Sequence, residues 1–307
     1  MNIQNFYKQC DSIINQWISN NNALLNNDPF LNKQKPKKGL LKKKYFDTMP
    51  EPFWGDPDHC SIVMINLNPA YKEGHDKLFS REKTQTLCPN GYSDFAKSFP
   101  ILNEDSYNPE GKEWWEGRKK YLDQLVQDYP NKEKISDNNL RPFAIEVCPW
   151  QSSTWADAKV KMEDGDLKKH INEYVIEPAL YAIDHSQVDF AVAIGKPILD
   201  ALLECGFRVM KSWGPNTDDP KYLADNILPD NYPTTLKKGD TEETPANVFF
   251  KLLVKEEEGG REGREGREKG RLIKVLCIKK DGSNHVPGPQ YRKNGIEQKI
   301  LDYIASV

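Results

Sequence analysis

The apolar run Cys60–Leu67 limits the possible folds more than any other segment of the sequence. Its centre reads Ile62-Val63-Met64-Ile65, and Pro69 follows closely behind. A strand that is apolar throughout, without alternating polar residues, is typical of a parallel sheet that is covered on both faces. Proline cannot continue such a strand because it lacks the backbone N–H that the sheet needs. We therefore predict a buried parallel strand that ends just before Pro69.

Two further strands of this kind, Arg141–Cys148 and Val188–Ile194, follow along the chain. Between and after these strands lie segments in which apolar residues recur at helical spacing. The predicted helices lie within 1–30 and at about 114–128, 167–183, 198–205 and 296–304, and two later strands at 248–254 and 272–278. Alternating strands and helices favour a parallel sheet with helices on both faces. The predicted fold class is α/β, a three-layer α/β/α sandwich with a central, mainly parallel four-stranded sheet.

We expect residues 1–307 to form a single domain with two additions. The first is an N-terminal helical and basic extension over about 1–48. The second is the tract rich in Glu, Gly and Arg at about 255–271, whose composition cannot form a core and predicts a disordered insert. The polar, turn-rich stretch from Tyr71 to Pro109 predicts a long loop, and loops of that length usually have a function.

Composition excludes several classes of protein. The six cysteines lie far apart without any Cys-x-x-Cys pair, so we expect buried free thiols and neither a structural zinc nor an iron–sulfur cluster. The apolar runs are too short to span a bilayer, and the N-terminal residues lack the basic and apolar regions of a signal peptide. The expectation is a cytoplasmic monomer that uses no metal and no cofactor.

The charge of the chain is unevenly distributed. The net charge is −3 and the pI is about 6.0, which does not by itself indicate a nucleic-acid-binding protein. The segment from Lys33 to Lys44, however, carries seven lysines and no acidic residue. Such a segment can contact phosphates, or it can be a solvated basic loop. Both interpretations remain open on the sequence alone.

Polar residues at the ends of the predicted strands are the candidates for function, because open parallel sheets bind ligands beyond the carboxyl ends of their strands. The first group is Asn66-Leu67-Asn68-Pro69-Ala70, in which the Asn68 amide can hold a water molecule by hydrogen bonds. A simple strand-ending turn is the alternative, because asparagine and proline both favour turns.

The second group is Glu146-Val147-Cys148-Pro149. A carboxylate in an apolar strand is expensive to bury without a partner, so Glu146 either faces a polar cleft or pairs with a basic residue such as Arg141. The third group, Asn284-His285-Val286-Pro287-Gly288, lies on the loop after the last strand and offers an imidazole to the same cleft.

Together these three groups resemble the motifs of the uracil-DNA glycosylase superfamily. Asn68-Pro69 matches the Asn-Pro form of its first motif, with Asn66 and Ala70 in place of the flanking glycines. Glu146 occupies the position of an asparagine that reads the base. His285-Val286-Pro287 is a partial match to a His-Pro-Ser motif. The resemblance spans roughly residues 50–305, and no single motif matches perfectly.

The resemblance implies that the chain extrudes a base from DNA and hydrolyses its N-glycosidic bond. Asn68 would position the water, and His285 would stabilise the negative charge of the departing base. The residues implied to bind the base are Glu146, Phe79, Asn66 and Tyr71. The residues implied to contact DNA are Lys42, Lys43, Lys44, Lys196, Pro287 and Arg292.

Glu146 is the most informative departure from the superfamily. An ionised glutamate can only accept hydrogen bonds, so it would repel uracil O4 and suit an exocyclic amine such as N4 of cytosine. We therefore expect a modified cytosine-type base as the target, as in defence against modified foreign DNA. A protonated Glu146 can also donate, and it would then resemble asparagine and allow uracil excision in repair.

Two other classes of function remain possible on the sequence. One is a non-catalytic reader that keeps the fold and binds flipped or modified bases without cutting them. The other is an unrelated α/β enzyme that acts on free nucleosides or nucleotides. The pair Trp114-Trp115 predicts either a buried helix face or a wedge that inserts into DNA.

Overall fold

The structure is a computed structural model of the chain. The described residues are 3–19, 48–67, 80–103, 108–132, 140–151, 165–213, 235–238, 242–245, 248–256, 272–280, 287 and 295–307.

A main sheet of seven strands, partly parallel, forms the centre of a mixed α/β fold. Its strands are β1 Phe53–Trp54, β2 Cys60–Asn66, β3 Arg141–Glu146, β4 Phe190–Ile194, β5 Arg208–Trp213, β8 Val248–Glu256 and β9 Leu272–Lys280. The order across the sheet is β1-β3-β2-β4-β9-β8-β5. The four middle strands, β3, β2, β4 and β9, are parallel to one another, and β1, β8 and β5 pair antiparallel. A separate hairpin contains β6 Thr235–Lys238 and β7 Glu242–Pro245.

Eight α-helices are present in the described part of the chain. They are α1 Ile3–Ile18, α2 Arg81–Leu87, α3 Tyr92–Lys97, α4 Pro109–Asp128, α5 Gly165–Ile171, α6 Glu177–Ile183, α7 Lys196–Glu204 and α8 Ile296–Ser306. A π-helical turn, Asn172–Ile176, joins α5 to α6, and a short 3₁₀ turn, Pro100–Leu102, precedes α4. None of these helices is both long enough and apolar enough to cross a membrane.

The helices cover the middle of the sheet. Helix α4 packs on β2 and β3, and α6 packs on β2 and β4 while also contacting α1. Every residue of β2 and of β4 is buried, because the side chains on both faces of these strands have packing partners. On one face Phe53 contacts Phe6 of α1, and on the other Trp54 contacts Phe99, which in turn contacts Trp115 of α4. These rings connect β1 to helices on both sides.

The prediction of an α/β fold with a parallel sheet is confirmed in its coarser form, but the sheet has seven strands where four were expected. Strand β1 has two residues, too few for a period to be read from the sequence. Strand β5 contains an arginine, a lysine and a serine among its six residues, so it lacks the apolar signature of the middle strands. The stretch from Tyr71 to Pro109 is also more ordered than predicted, because α2 and α3 lie within it. Asp11 of α1 fixes α3 by accepting from the Ser93 backbone N–H at 2.8 Å.

The cysteines agree with the expectation of free thiols. All six are unpaired, and all except the half-buried Cys88 are buried. Burial raises the pKa of Cys60 and of Cys88 to about 12, which keeps these thiols protonated and unreactive at neutral pH. Of the predicted insert at 255–271, only residues 255 and 256, at the end of β8, are among the described residues. Most of the N-terminal extension also lies outside them.

A half-buried ion pair joins the amino-terminal ends of β4 and β9. Lys274 Nζ is 2.7 Å from Asp189 Oδ2 and donates to the Ile304 carbonyl, which ties α8 to the sheet. The Lys274 side chain is buried, whereas Asp189 is half-exposed and also accepts from the Tyr129 hydroxyl. Removing the carboxylate therefore leaves a buried charge, whereas removing the ammonium leaves a carboxylate that water can reach.

We expect Asp189→Asn to lower the free energy of unfolding by about 2 kcal/mol, and Lys274→Met to lower it by less than about 1 kcal/mol. Urea denaturation at pH 7 measures both values. A larger loss in Lys274→Met than in Asp189→Asn would contradict this account of the pair.

Candidate functional site

Asn66 and Glu146 lie side by side at the carboxyl ends of β2 and β3. They are register partners in the parallel ladder, so their side chains leave the same face of the sheet. Asn66 Nδ2 donates to Glu146 Oε1 at 2.9 Å. Both side chains are 6% exposed. The structure thus brings together two residues that the sequence had placed in one base-binding group, at the sheet edge where ligands of such folds bind.

The second oxygen of Glu146 is the unusual atom of this site. Oε2 is buried and has no hydrogen-bond partner within the described residues. The pKa of Glu146 is raised to about 8, mainly by burial. The nearby Glu51 carboxyl contributes to the rise, while the Asn66 amide and Arg118 oppose it. The carboxyl is therefore mostly protonated at pH 7. Because Oε1 already accepts from Asn66, we assign the proton to the unpartnered Oε2.

Arg118 of α4 supplies the positive charge near Glu146. Its side chain is buried, and its guanidinium carbon lies 3.7 Å from the ring centroid of Trp114. Burial lowers the pKa of Arg118 to about 9, and the Glu146 carboxyl opposes that shift. Trp114 is 40% exposed, whereas Trp115 is buried against Phe99, so one member of the Trp pair belongs to the core and the other faces solvent.

The expected partner of Glu146, Arg141, is elsewhere. Its guanidinium donates to the carbonyls of Ser98 and Phe99 and to Asn103 Oδ1, and so fixes the 3₁₀ turn before α4. Arg141 is the first residue of β3, and Glu146 is the last. The two side chains therefore lie at opposite ends of the strand. Arg141 is therefore not the basic partner of Glu146 that the sequence suggested as an example, and Arg118 is the basic residue near it.

A second buried carboxyl, Glu51, lies beside the first. Its Oε2 accepts from Trp54 Nε1 at 3.0 Å, and its Oε1 accepts from Gln151 Nε2 at 2.6 Å. Two backbone hydrogen bonds hold the Glu51 segment against the end of β3, from Glu51 N to the Pro149 carbonyl and from Glu146 N to the Pro52 carbonyl. Burial raises the pKa of Glu51 to about 7, and these two side-chain donors reduce the shift.

His170 of α5 completes the polar surroundings of the strand end. Its Nε2 is 3.1 Å from the Val147 carbonyl, one residue beyond Glu146, and its ring stacks on Tyr174. A carbonyl can only accept, so Nε2 carries the hydrogen. Burial lowers the pKa of His170 to about 4, so the ring is neutral at pH 7. His170 thus holds the backbone after β3 without adding charge near the two glutamates.

Of the predicted site residues, the structure unites Asn66 and Glu146 and describes little of the others. The following residues lie outside the described ranges: Asn68, Tyr71, Phe79, His285, Arg292, Lys42, Lys43 and Lys44. The backbone of Lys196 is described and begins α7 directly after Gly195, which has a φ of 115° that favours glycine. Pro287 is buried.

The sequence did not predict three residues of the site, namely Glu51, Arg118 and Gln151. The Pro-Glu-Pro pattern around Glu51 was a usable signal, because a carboxylate between two prolines sits on a stiff, extended segment. Arg118 follows the exposed Trp114 by one helical turn, but only the fold shows that α4 packs against β3 and that Arg118 is near Glu146.

Comparisons of the chain with protein-family models, with curated proteins and with solved structures found no match. A neutral carboxylic acid beside an amide offers one O–H donor and several acceptor lone pairs at a strand end. Among the described residues, no three His, Cys, Asp or Glu side chains are grouped in a way that could hold a metal ion.

Proposed function

We propose that the chain is a DNA glycosylase that hydrolyses the N-glycosidic bond of a flipped, modified cytosine-type base and leaves an abasic site. The observation that supports this most strongly is the Asn66–Glu146 pair at the carboxyl ends of two adjacent parallel strands. A base extruded from DNA needs a buried group that pairs with its Watson–Crick edge, and Glu146 is such a group.

A neutral Glu146 makes different hydrogen bonds to the Watson–Crick edge than a carboxylate would, but these still fit cytosine. The Oε2 hydroxyl can donate to N3 of cytosine, which has no hydrogen of its own. Oε1 already accepts from Asn66 and retains a second lone pair for the N4 amine. The pair of contacts is bidentate, so it orients the base as well as binding it.

The same neutral carboxyl favours uracil as a second candidate substrate. Uracil carries a hydrogen on N3 and an acceptor at O4, and a protonated carboxyl can match both, because Oε1 can accept from N3 while the Oε2 hydroxyl donates to O4. In that case the chain would excise uracil in DNA repair rather than a modified cytosine in defence against foreign DNA. The raised pKa of Glu146 is the observation that keeps this alternative open.

The catalytic roles in this proposal come from the motifs of the sequence. Asn68 follows Asn66 by two residues beyond β2, and its amide would hold the attacking water. His285 would donate a hydrogen bond to the departing base. The same proposal includes a relationship to the uracil-DNA glycosylase superfamily and DNA as the partner. It also includes a monomer with a single domain, in which helices form a three-layer arrangement around the four parallel strands.

The test is a base-release assay with the full chain. Labelled duplexes carry uracil, cytosine, 5-hydroxymethylcytosine or glucosylated 5-hydroxymethylcytosine, and alkali converts abasic sites to breaks. We expect breaks at one base, with Asn68→Ala and His285→Ala each lowering the single-turnover rate by about 10²- to 10³-fold. Retained DNA binding by both variants serves as the folding control.

Two other results would change the assignment. Binding to a flipped-base duplex without any break would favour the non-catalytic reader. Release of base from free nucleosides, with no breaks in DNA, would favour an enzyme of nucleoside metabolism.

A further inference from the structure

We propose that Glu146 is a general acid that transfers its Oε2 proton to the departing base. This inference rests on the proposed function and deepens it, because it assigns a chemical step to a residue that the motifs suggest only for recognition. The geometry that points to it is a carboxyl with one oxygen held and the other unpartnered, at the ligand-binding end of a parallel sheet.

The hydrogen bonds of the site determine which oxygen can deliver a proton. Asn66 donates to Oε1, so Oε1 is an acceptor in the resting site. Glu51 is not equivalent, because Trp54 and Gln151 donate to its two oxygens. Of these two buried carboxyls, only Glu146 therefore has an oxygen without a partner among the described residues.

The charges around Glu146 favour the protonated acid. The neighbouring charged groups on the elements packed against it are Glu51, on the segment before β1, and Arg118, on α4. Asn66 on β2 and Trp54 on β1 add no charge, and His170 beyond the strand end is neutral. Glu146 thus faces a second carboxyl as well as one guanidinium, so ionising both carboxyls would leave an excess negative charge in a buried place. The pKa of about 8 for Glu146 is consistent with this arrangement.

The proposed step is balanced with water as the only co-reactant. The bond between C1′ of the sugar and N1 of the base breaks, and its electron pair stays on the base. The Oε2 proton of Glu146 passes to the ring atom N3, or to O4 where the base is uracil, so the base departs neutral. Water adds its oxygen to C1′ and releases a proton to solvent, and a proton from solvent restores Glu146.

General acid transfer of this kind contributes about 10² to 10⁴ in rate, and it contributes most when the leaving group is poor. An acid with a pKa near the working pH suits the task, because it is protonated before the step and gives up the proton readily. An amide at the same position can hydrogen-bond to the base but cannot transfer a proton. Glu146→Gln is therefore the matched variant.

The experiment compares wild type with Glu146→Gln in single-turnover reactions on two pairs of duplexes, uracil with 5-fluorouracil and 5-hydroxymethylcytosine with 5-formylcytosine. The second base of each pair is the better leaving group. We expect Glu146→Gln to be slower by about 10²-fold or more on the poorer leaving group and at least about tenfold less impaired on the better one. The wild-type rate should fall above pH 8, and the variant rate should not.

Each other outcome is decisive. An equal defect on both members of a pair, together with an unchanged pH profile, would mean that Glu146 only positions the base, and the inference would be overturned while the glycosylase proposal stood. Full activity of Glu146→Gln would overturn it in the same way. A wild type that releases neither these four bases nor glucosylated 5-hydroxymethylcytosine would overturn the proposed function, and the inference would fall with it. Circular dichroism and DNA binding of Glu146→Gln show whether the variant is folded.

Discussion

When the pH is raised from 4 to 9, we expect the free energy of unfolding of Glu146→Gln to increase by about 4 kcal/mol relative to that of the wild type. The native pKa of about 8 lies well above the ordinary value of 4.5, and each unit of such a shift corresponds to about 1.4 kcal/mol. Glutamine preserves the shape of the side chain and the acceptor for Asn66, but it cannot ionise. The variant therefore does not lose stability at high pH, where the wild type has to ionise a buried carboxyl in the native state.

The sign follows from where the proton is held. Between pH 4.5 and pH 8 the native Glu146 keeps a proton that the unfolded chain has already released, so the native state binds more protons. The contribution of Glu146 to stability is fully present below pH 4.5 and is lost as the pH rises through 8. In this window the free energy of unfolding of the wild type falls because of Glu146, and that of the variant does not.

Other buried groups change stability over the same range, so the measurement has to be a difference between variant and wild type. Glu51 acts in the same direction between pH 4.5 and about 7. His170 acts in the opposite direction, because its native pKa of about 4 is below the ordinary 6.5 and folding excludes a proton there. Both groups remain in the Glu146→Gln variant. The contribution of His170 cancels in the subtraction, whereas that of Glu51, which is coupled to Glu146, cancels in part.

Urea denaturation at intervals from pH 4 to pH 9 gives the two stability curves. Glu51→Gln is the matched comparison, and its difference from wild type should be smaller and should level off near pH 7. Parallel curves for Glu146→Gln and wild type would show that Glu146 is ionised in the native state, and would remove the physical basis of the proposed acid. This test needs no substrate, so it is independent of the glycosylase proposal.

The middle of the fold was readable from the sequence because one physical rule decided it. Strands β2, β3 and β4 are buried on both faces, so their segments are apolar without alternation and stop at proline or glycine. The helix at 296–304 was found as α8, Ile296–Ser306, because its apolar spacing is regular. The edge strands gave no such signal, since β1 is too short and β5 has polar side chains.

The candidate site was predicted only where a residue contradicted its surroundings. Glu146 was noticed because a carboxylate does not belong in an apolar strand, and Asn66 because it stands at a strand end. Arg118 gave no comparable signal, because an arginine in a charged helix is ordinary until the helix is known to lie over β3. The sequence also could not show which oxygen of Glu146 is occupied, since that depends on the register between β2 and β3.

The charges beside Glu146 lead to a last prediction. Arg118 and Glu51 need not touch the base, but each should shift the pH at which the reaction rate falls, in opposite directions. The Arg118 guanidinium lowers the pKa of Glu146, and the Glu51 carboxyl raises it. Removing Arg118 should therefore move the alkaline fall in the wild-type rate to higher pH, whereas removing Glu51 should move it to lower pH. The two carboxyls titrate as a coupled pair, so each change acts on the pair and not on Glu146 alone.

For Arg118→Met and Glu51→Gln we expect shifts of about one pH unit each, upward and downward, which separates the two variants by about 100-fold in rate near pH 10. Single-turnover rates on the base that the wild type removes, measured from pH 6 to pH 10, give the profiles. Arg118→Lys is the control, since it keeps a charge on the same helix and should restore the wild-type profile in part. Equal shifts in one direction would indicate that both substitutions merely loosen the site. Opposite shifts would show that the charge around Glu146 sets its working pH, which a purely structural role for these buried groups does not predict.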